Sequence, residues 1–401
     1  MQGDDDMGID FGLDLPELQT DPAGTFRTLR EQCPVHHTDH PAPHYTVSRH
    51  ADVTEVLRDS DIWKSKFGPG LAMRGGGVLV SSDPPKHTNE RLAITKVFRP
   101  SAIDEMRDDI AALVGRITDG FVSRGEGDLI GLLAMPIPLT VMCWLLGTPE
   151  EDVEQFRNWV LPMAEGVSYA QGRAAPEVAA AYENFFAYFT AHVRTRQAAL
   201  ESGSAVPDDM LTRLLTVERD GSRISFEDVL GFCQFLLVAG SATTTLLIGN
   251  VLHRLLQHPD QMALVRADRR LVETAVEESL RIDAPVHGLF RTNDAPVCMH
   301  GVDIPMDSKV LALFASANLD PEVWDRPDEF DVTRDLTQLR KHYAFGVGIH
   351  YCLGAPLARM EAQLAVNEVL DRLPNLTLAG TPTLVKAQVL NGFETLPVTW
   401  G

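Results

Sequence analysis

The residues best suited to chemistry in this chain lie between Phe345 and Gly354, in the run Phe345-Gly346-Val347-Gly348-Ile349-His350-Tyr351-Cys352-Leu353-Gly354. One cysteine stands between close-spaced glycines, directly ahead of Leu353, Leu357, Met360, Leu364, Val369, Leu370 and Leu373, which follow an amphipathic helical period. A sulfur near a helix N-terminus meets unpaired backbone N–H groups and the positive end of the helix dipole. Both favour the thiolate, which is the form that ligates a metal. Gly346 and Gly348 allow the backbone to curl around the sulfur with positive φ. Gly354, on the first turn of the helix, leaves room for something flat to lie against it.

A flat, anionic ligand with an axial iron suits that space, as in haem held by a cysteine thiolate. A lone cysteine is ordinarily a small buried hydrophobe, and Cys33, Cys143, Cys233 and Cys298 are read that way. Cys352 differs because the whole pattern Phe-Gly-x-Gly-x-His-x-Cys-x-Gly surrounds it. The pattern resembles the cysteine loop of the cytochromes P-450, the haem-thiolate oxygenases. The resemblance implies heme b (iron protoporphyrin IX) as cofactor and Cys352 as its metal ligand, with Phe345, Gly346, His350 and Gly354 around it.

Other elements must complete such a site. Ser225 and Asp228 form a capping-box-like start to a helical pattern that runs to His258 and stops at Pro259. A helix of that length spans on the order of 50 Å and must run through the core. In its middle, Ala239-Gly240-Ser241-Ala242-Thr243-Thr244 puts small and hydroxylic residues where close packing would take leucine. Small residues there could simply ease helix crossing. The segment also resembles the family's oxygen-binding stretch, Ala-Gly-x-(Asp or Glu)-Thr. That implies Ala239 and Gly240 against the cofactor, with Ser241, Thr243 and Thr244 as catalytic hydroxyls. Ala242 departs from the pattern, because it stands where most members carry an acid.

His87 and Arg91 fall one turn apart on a helix entered through Pro84-Pro85. Read alone the pair is a solvated face; by resemblance it reaches the haem propionates, together with Arg291 and His350. Glu278 and Arg281 are spaced three apart, which by default is a surface ion pair of little value. They match the family's Glu-x-x-Arg anchor, completed by Arg334. Pro285 to Thr292 reads as a strand passing the haem, with Val286, Leu289 and Phe290 toward substrate. The glycine-rich segment Phe67 to Gly77 reads as a mobile loop whose Phe67, Leu71 and Met73 are further pocket candidates, as are Val238 and Phe393. Leu161 to Ala199 resembles the family's lid over the active site.

The chain has 401 residues, 44% hydrophobic and 23% charged, and no linker-like stretch divides it. The expectation is therefore a single domain over 1–401 with a frayed acidic tail at 1–14. By the resemblance its fold is expected to be mainly α, the cytochrome P-450 fold, with a large helical part and a small β-rich part. A net charge of −21 argues against nucleic acid as a partner, since phosphate contacts rest on lysine and arginine patches. Val229 to Leu252 carries no charge and is long enough to cross a bilayer. Its polar residues, among them Gln234, Thr245 and Asn250, and its bare ends mark a buried helix, so no membrane anchor is expected.

The resemblance implies a cytoplasmic, bacterial-type monooxygenase that places one atom of O₂ into a small apolar organic substrate, a terpenoid, steroid or aromatic. Electrons would come from a ferredoxin or flavoprotein docking near Arg340, Lys341 and Arg359. Because of Ala242, nitric oxide reduction with a reduced nicotinamide stays open as an alternative; peroxide-driven chemistry and, as a different class, a non-catalytic haem sensor or carrier stay open beside it.

Overall fold

The computed structural model describes residues 11–401 except 14–16, 169–175, 220–221 and 388. The helices that matter for the site are, in chain order, α1 (Lys86–Ile94), α2 (Pro136–Leu146), α3 (Val153–Ser168), α4 (Pro176–Glu201), α5 (Phe226–Gln257), α6 (Leu271–Ile282) and α7 (Ala355–Arg372). The central one is α5, with 32 residues. Its first turn is closed by the Ser225 hydroxyl, which accepts a hydrogen bond from the Asp228 N–H at 3.0 Å, and it ends at His258 ahead of Pro259. Helices α2, α3, α6 and α7 pack around it. Apolar residues on every side of α5 find a neighbour there, as expected of a helix that is hydrophobic all round. Among the described residues α5 alone is long and apolar enough to cross a membrane, and 72% of its most apolar stretch is buried within the protein.

The largest sheet has strands β1 (Val35–Thr38), β2 (His44–Val47), β3 (Trp63–Lys64), β4 (Leu289–Asn293) and β5 (Lys309–Ala312), in the spatial order β1-β2-β5-β4-β3. Only the β2–β5 pair is parallel. Strand β4 is an inner strand, with Arg291 opposite Val310 of β5. A three-stranded sheet joins Pro397–Thr399 near the end of the chain to Glu126–Asp128 and Thr377–Leu378. The architecture is the mainly helical one with a small β part that the sequence implied.

Some local expectations need correction. Residues 1–10 and 14 of the expected tail lie outside the described residues, but Phe11 and Leu13 are not frayed. They are buried with Phe26 and Leu29. Of the expected lid, residues 169–175 lie outside the described residues, and Gly147 ends α2 at φ +66°.

Candidate active site

The site is built on the loop before α7. Gly346 and Gly348 adopt φ of +66° and +79°, and the Phe345 carbonyl accepts the Cys352 N–H at 2.9 Å. A Cβ on Gly348 would lie 2.8 Å from the Leu57 carbonyl, so the tight curl excludes any larger residue there. Helix α7 starts at Ala355 with Gly354 as its N-cap. Burial pushes the Cys352 thiol pKa up, while the backbone N–H groups of Gly354 and Ala355 and the guanidiniums of Arg91 and Arg359 act the other way. The helix terminus alone therefore does not produce a thiolate here; a coordinated cation would, since it deprotonates a ligating thiol outright.

A single cavity joins this loop to the middle of α5. On one side it is lined by Phe345, Gly346, His350, Cys352 and Gly354, and on the other by Ala239, Gly240, Thr243, Thr244 and Leu247. The α5 residues are spaced three and four apart and form one helical stripe. Ser241, Ala242 and Val238 fall off that stripe and do not line the cavity. Ser241 and Ala242 are buried elsewhere, and Val238 packs against the main core. The Thr243 hydroxyl donates to the Ala239 carbonyl at 2.7 Å, which leaves its oxygen free to accept from the cavity side.

Four cationic or cation-capable groups line the same cavity: His87, Arg91, Arg291 and His350. The His87 and His350 rings lie 4.2 Å apart, and the Arg91 guanidinium donates to the Tyr351 carbonyl at 2.7 Å. Burial, then Arg291, His87 and Arg91, push the His350 pKa down to about 2, and its Nε2 is buried without a hydrogen-bond partner. Burial pushes Arg291 down to about 10, opposed by Asp83. So many donors converging on one cavity is costly unless an anion answers them. A flat dianion with two carboxylates fits both the orphaned Nε2 and the open space over Gly354, where an added Cβ would meet only the Cys352 sulfur, at 4.0 Å.

A family model described as cytochrome P450 matches residues 150–383. Cytochrome P450 107B1 of Saccharopolyspora erythraea is 35% identical over 377 residues, covering 89% of each chain. The chain belongs to the cytochrome P450 family.

Cytochrome P450 monooxygenase PikC of Streptomyces venezuelae is 34% identical across 98% of this P450 and 94% of its own length. The ligand-free structure of cytochrome P450 TbtJ1 superposes with a TM-score of 0.85 at 33% identity, covering 96% of this chain and all of the other. The protein is thus a P450 monooxygenase of bacterial type, and the family implies a haem cofactor. When bound, the haem supplies the activation of O₂. Cys352 would be its thiolate ligand, and His87, Arg91, Arg291 and His350 would hold its carboxylates.

The residues expected to anchor the loop form a cluster in which Glu278 and Arg281 are fully buried and the Arg334 side chain is 6% exposed. Arg281 donates to both Glu278 oxygens, at 2.7 and 2.8 Å, and Arg334 donates to Oε1 at 2.8 Å. The remaining guanidinium donors reach the carbonyls of Asn318, Pro327 and Glu329 from Arg281, and of Asp325 and Arg326 from Arg334. The cluster thereby fastens α6 to the chain that leads into the cysteine loop.

The pocket candidates divide. Val286 and Leu289 line the cavity beside Arg291, but Phe290 does not: side chains alternate along a strand, and Phe290 instead meets His44 edge-on at 5.5 Å. Leu71 is buried with Phe290 and Leu311 in a separate cluster, and Met73 lies against Gly68. Phe67 does not line the cavity either; its backbone carbonyl accepts from Lys309 at 3.1 Å. Phe393 packs against the His253 ring at 4.3 Å instead of entering the cavity. Leu79, Val80, Met142, Phe235, Leu236 and Leu247 do line it and were not singled out, because nothing local in the sequence tells which face of an element looks inward.

The sequence also passed over Glu277. Its carboxylate is fully buried, receives the His342 Nε2 at 3.0 Å and is held by the Arg359 guanidinium, with Nη2 at 2.9 Å. Burial works to raise this carboxyl, but the hydrogen bonds from His342 and Arg359 outweigh it and bring it down to about 2. The only signal in the sequence was a second glutamate beside Glu278. Among the cations assigned to donor docking, Arg359 is thus held by Glu277 and Arg340 pairs with Glu273, while Lys341 is exposed.

Proposed function

We propose that this P450 inserts one oxygen atom of O₂ into a C–H bond of a neutral, apolar organic molecule, a terpenoid, steroid or aromatic. Its electrons would come from a ferredoxin and its reductase in the cytoplasm, and its haem would be heme b. The observation that carries the reading is the division of the cavity. Every charge-bearing side chain in the lining belongs to the cysteine loop or to the group at His87, Arg91 and Arg291, whereas the rest of the lining is Leu, Ile, Val, Phe, Met, Pro, Ala and Gly, with the hydroxyls of Thr243 and Thr244. A substrate lying there would find apolar contact and hydroxyls but no counter-ion, which selects against charge at its reacting end.

Thr243 would supply the proton relay. Its hydroxyl keeps an acceptor toward the cavity while bonded to Ala239, and it can release that bond to donate. Cys352 would hold the metal, and the apolar wall would exclude bulk water from the reacting centre. The test is product formation. With a ferredoxin, its reductase, reduced nicotinamide and O₂, a compound giving a type I spectral shift should be hydroxylated. Rapid nicotinamide oxidation with nitric oxide alone, and no oxygenated product, would replace this reading with nitric oxide reduction, the alternative that Ala242 keeps in view.

A further inference from the structure

Arg359 stands behind the cysteine loop and is immobilised from two directions. Its Nη2 donates to Glu277 Oε2 at 2.9 Å and its Nε to Oε1, and the guanidinium plane lies over the Phe345 ring, 4.5 Å from the centroid. Phe345 is the residue whose carbonyl accepts the Cys352 N–H. The same Glu277 Oε2 is also held by His342 Nε2, at 3.0 Å, and the Nδ1 of that ring in turn accepts the Ala344 N–H at 3.2 Å, one residue before Phe345. A surface cation meant only to meet a partner has no use for a fully buried carboxylate and a ring beneath it. The side chain of Arg359 is 17% exposed, and that of Glu277 not at all.

We propose that Arg359 is a positioning residue for the Cys352 sulfur: clamped by Glu277 and stacked on Phe345, it keeps a fixed positive charge behind the loop and sets the reduction potential of the haem. The proposal rests on Cys352 as the haem ligand. Reduction adds one negative charge at the iron and its sulfur, and a fixed cation nearby stabilises that charge while the buried carboxylate opposes it. Each member of the pair therefore moves the potential with its own sign. Loss of the cation makes reduction harder, and loss of the carboxylate makes it easier. A merely structural pair would loosen the loop in the same way whichever member was removed.

The experiment is a redox titration of the haem-loaded protein and of R359Q, R359K and E277Q. The wild-type Soret band with carbon monoxide is read first, so that failure of the haem-thiolate assignment is told apart from failure of this one. The expected result is an about tenfold fall in the reduction equilibrium constant for R359Q, about 59 mV for one electron. A rise of similar size is expected for E277Q, and R359K should fall between R359Q and wild type. Should E277Q not fold, R359Q and R359K decide the matter alone. An unmoved potential in R359Q, a shift in R359K as large as that in R359Q, or shifts of the same sign in R359Q and E277Q would overturn the proposal.

Discussion

The side chains of Glu278 and Arg281 expose no surface to solvent and are joined by two hydrogen bonds, of 2.7 and 2.8 Å. A spacing of three residues on a helix usually gives a weak surface pair. Here the pair is buried, so removing one member leaves an uncompensated charge. Glu278→Ala strands Arg281 and Arg334 together and is expected to cost about 3–5 kcal/mol. Denaturant unfolding of the purified variant checks this, as does its haem content, which should be low. A wild-type unfolding midpoint with full haem content would return the pair to a minor role.

Leu289 and Phe290 are neighbours in one strand with opposite consequences. Leu289→Phe should change the panel of compounds that give a type I shift, because that side chain faces the cavity. Phe290→Ala should leave the panel alone and lower stability by about 3–5 kcal/mol, the usual cost of emptying a buried aromatic site. Spectral titration paired with denaturant unfolding separates the two. Equal effects of both substitutions on the panel would mean that the strand does not alternate as observed.

The elements read from the sequence and those missed differ in how local their signals were. The cysteine loop, Glu278 with Arg281, and the Ser225 cap were legible because each lies within one turn or one tight loop. Pocket facing was not. Phe290, Val238 and Ser241 sit beside lining residues in the chain, yet they point elsewhere once strand alternation and helical phase are fixed by packing. Glu277 escaped because its partners His342 and Arg359 lie 65 and 82 residues away in the chain. Glycine content alone marks Leu71 and Met73 as residues of a mobile loop, and only the tertiary fold shows Leu71 to be core.

His287 gives a pH dependence whose sign follows from its burial. It packs edge-on to Phe26 at 5.5 Å, and burial pushes its pKa down to about 4, against an ordinary value of 6.5. Between those values the unfolded chain carries the extra proton, so stability rises with pH through this window and falls on acidification from about 6.5 toward 4. The loss amounts to a few kcal/mol, since each tenfold change in proton affinity corresponds to about 1.4 kcal/mol. Thermal midpoints between pH 7 and 4 should show a shallower decline in His287→Phe than in the parent. An unchanged slope would mean that His287 takes up a proton freely in the fold.

Thr243→Ala removes the cavity hydroxyl that the proposed relay uses. Product formation should fall by up to about 10²-fold, the lower end of what a positioned proton-transfer group supplies, while hydrogen peroxide released per electron pair rises. Ala242→Glu should retain turnover, since Ala242 does not line the cavity. Peroxide and product measured together give the coupling, and unchanged coupling in Thr243→Ala would remove that residue from the relay.

The most direct test of the whole account concerns Cys352. Reduced protein under carbon monoxide should show the strongly red-shifted Soret band of thiolate ligation, and Cys352→Ser should lose it, because the cavity lining offers the iron no other sulfur in that loop. A Cys352→Ser variant that keeps the band would contradict the assignment of Cys352 as the haem ligand and everything built on it.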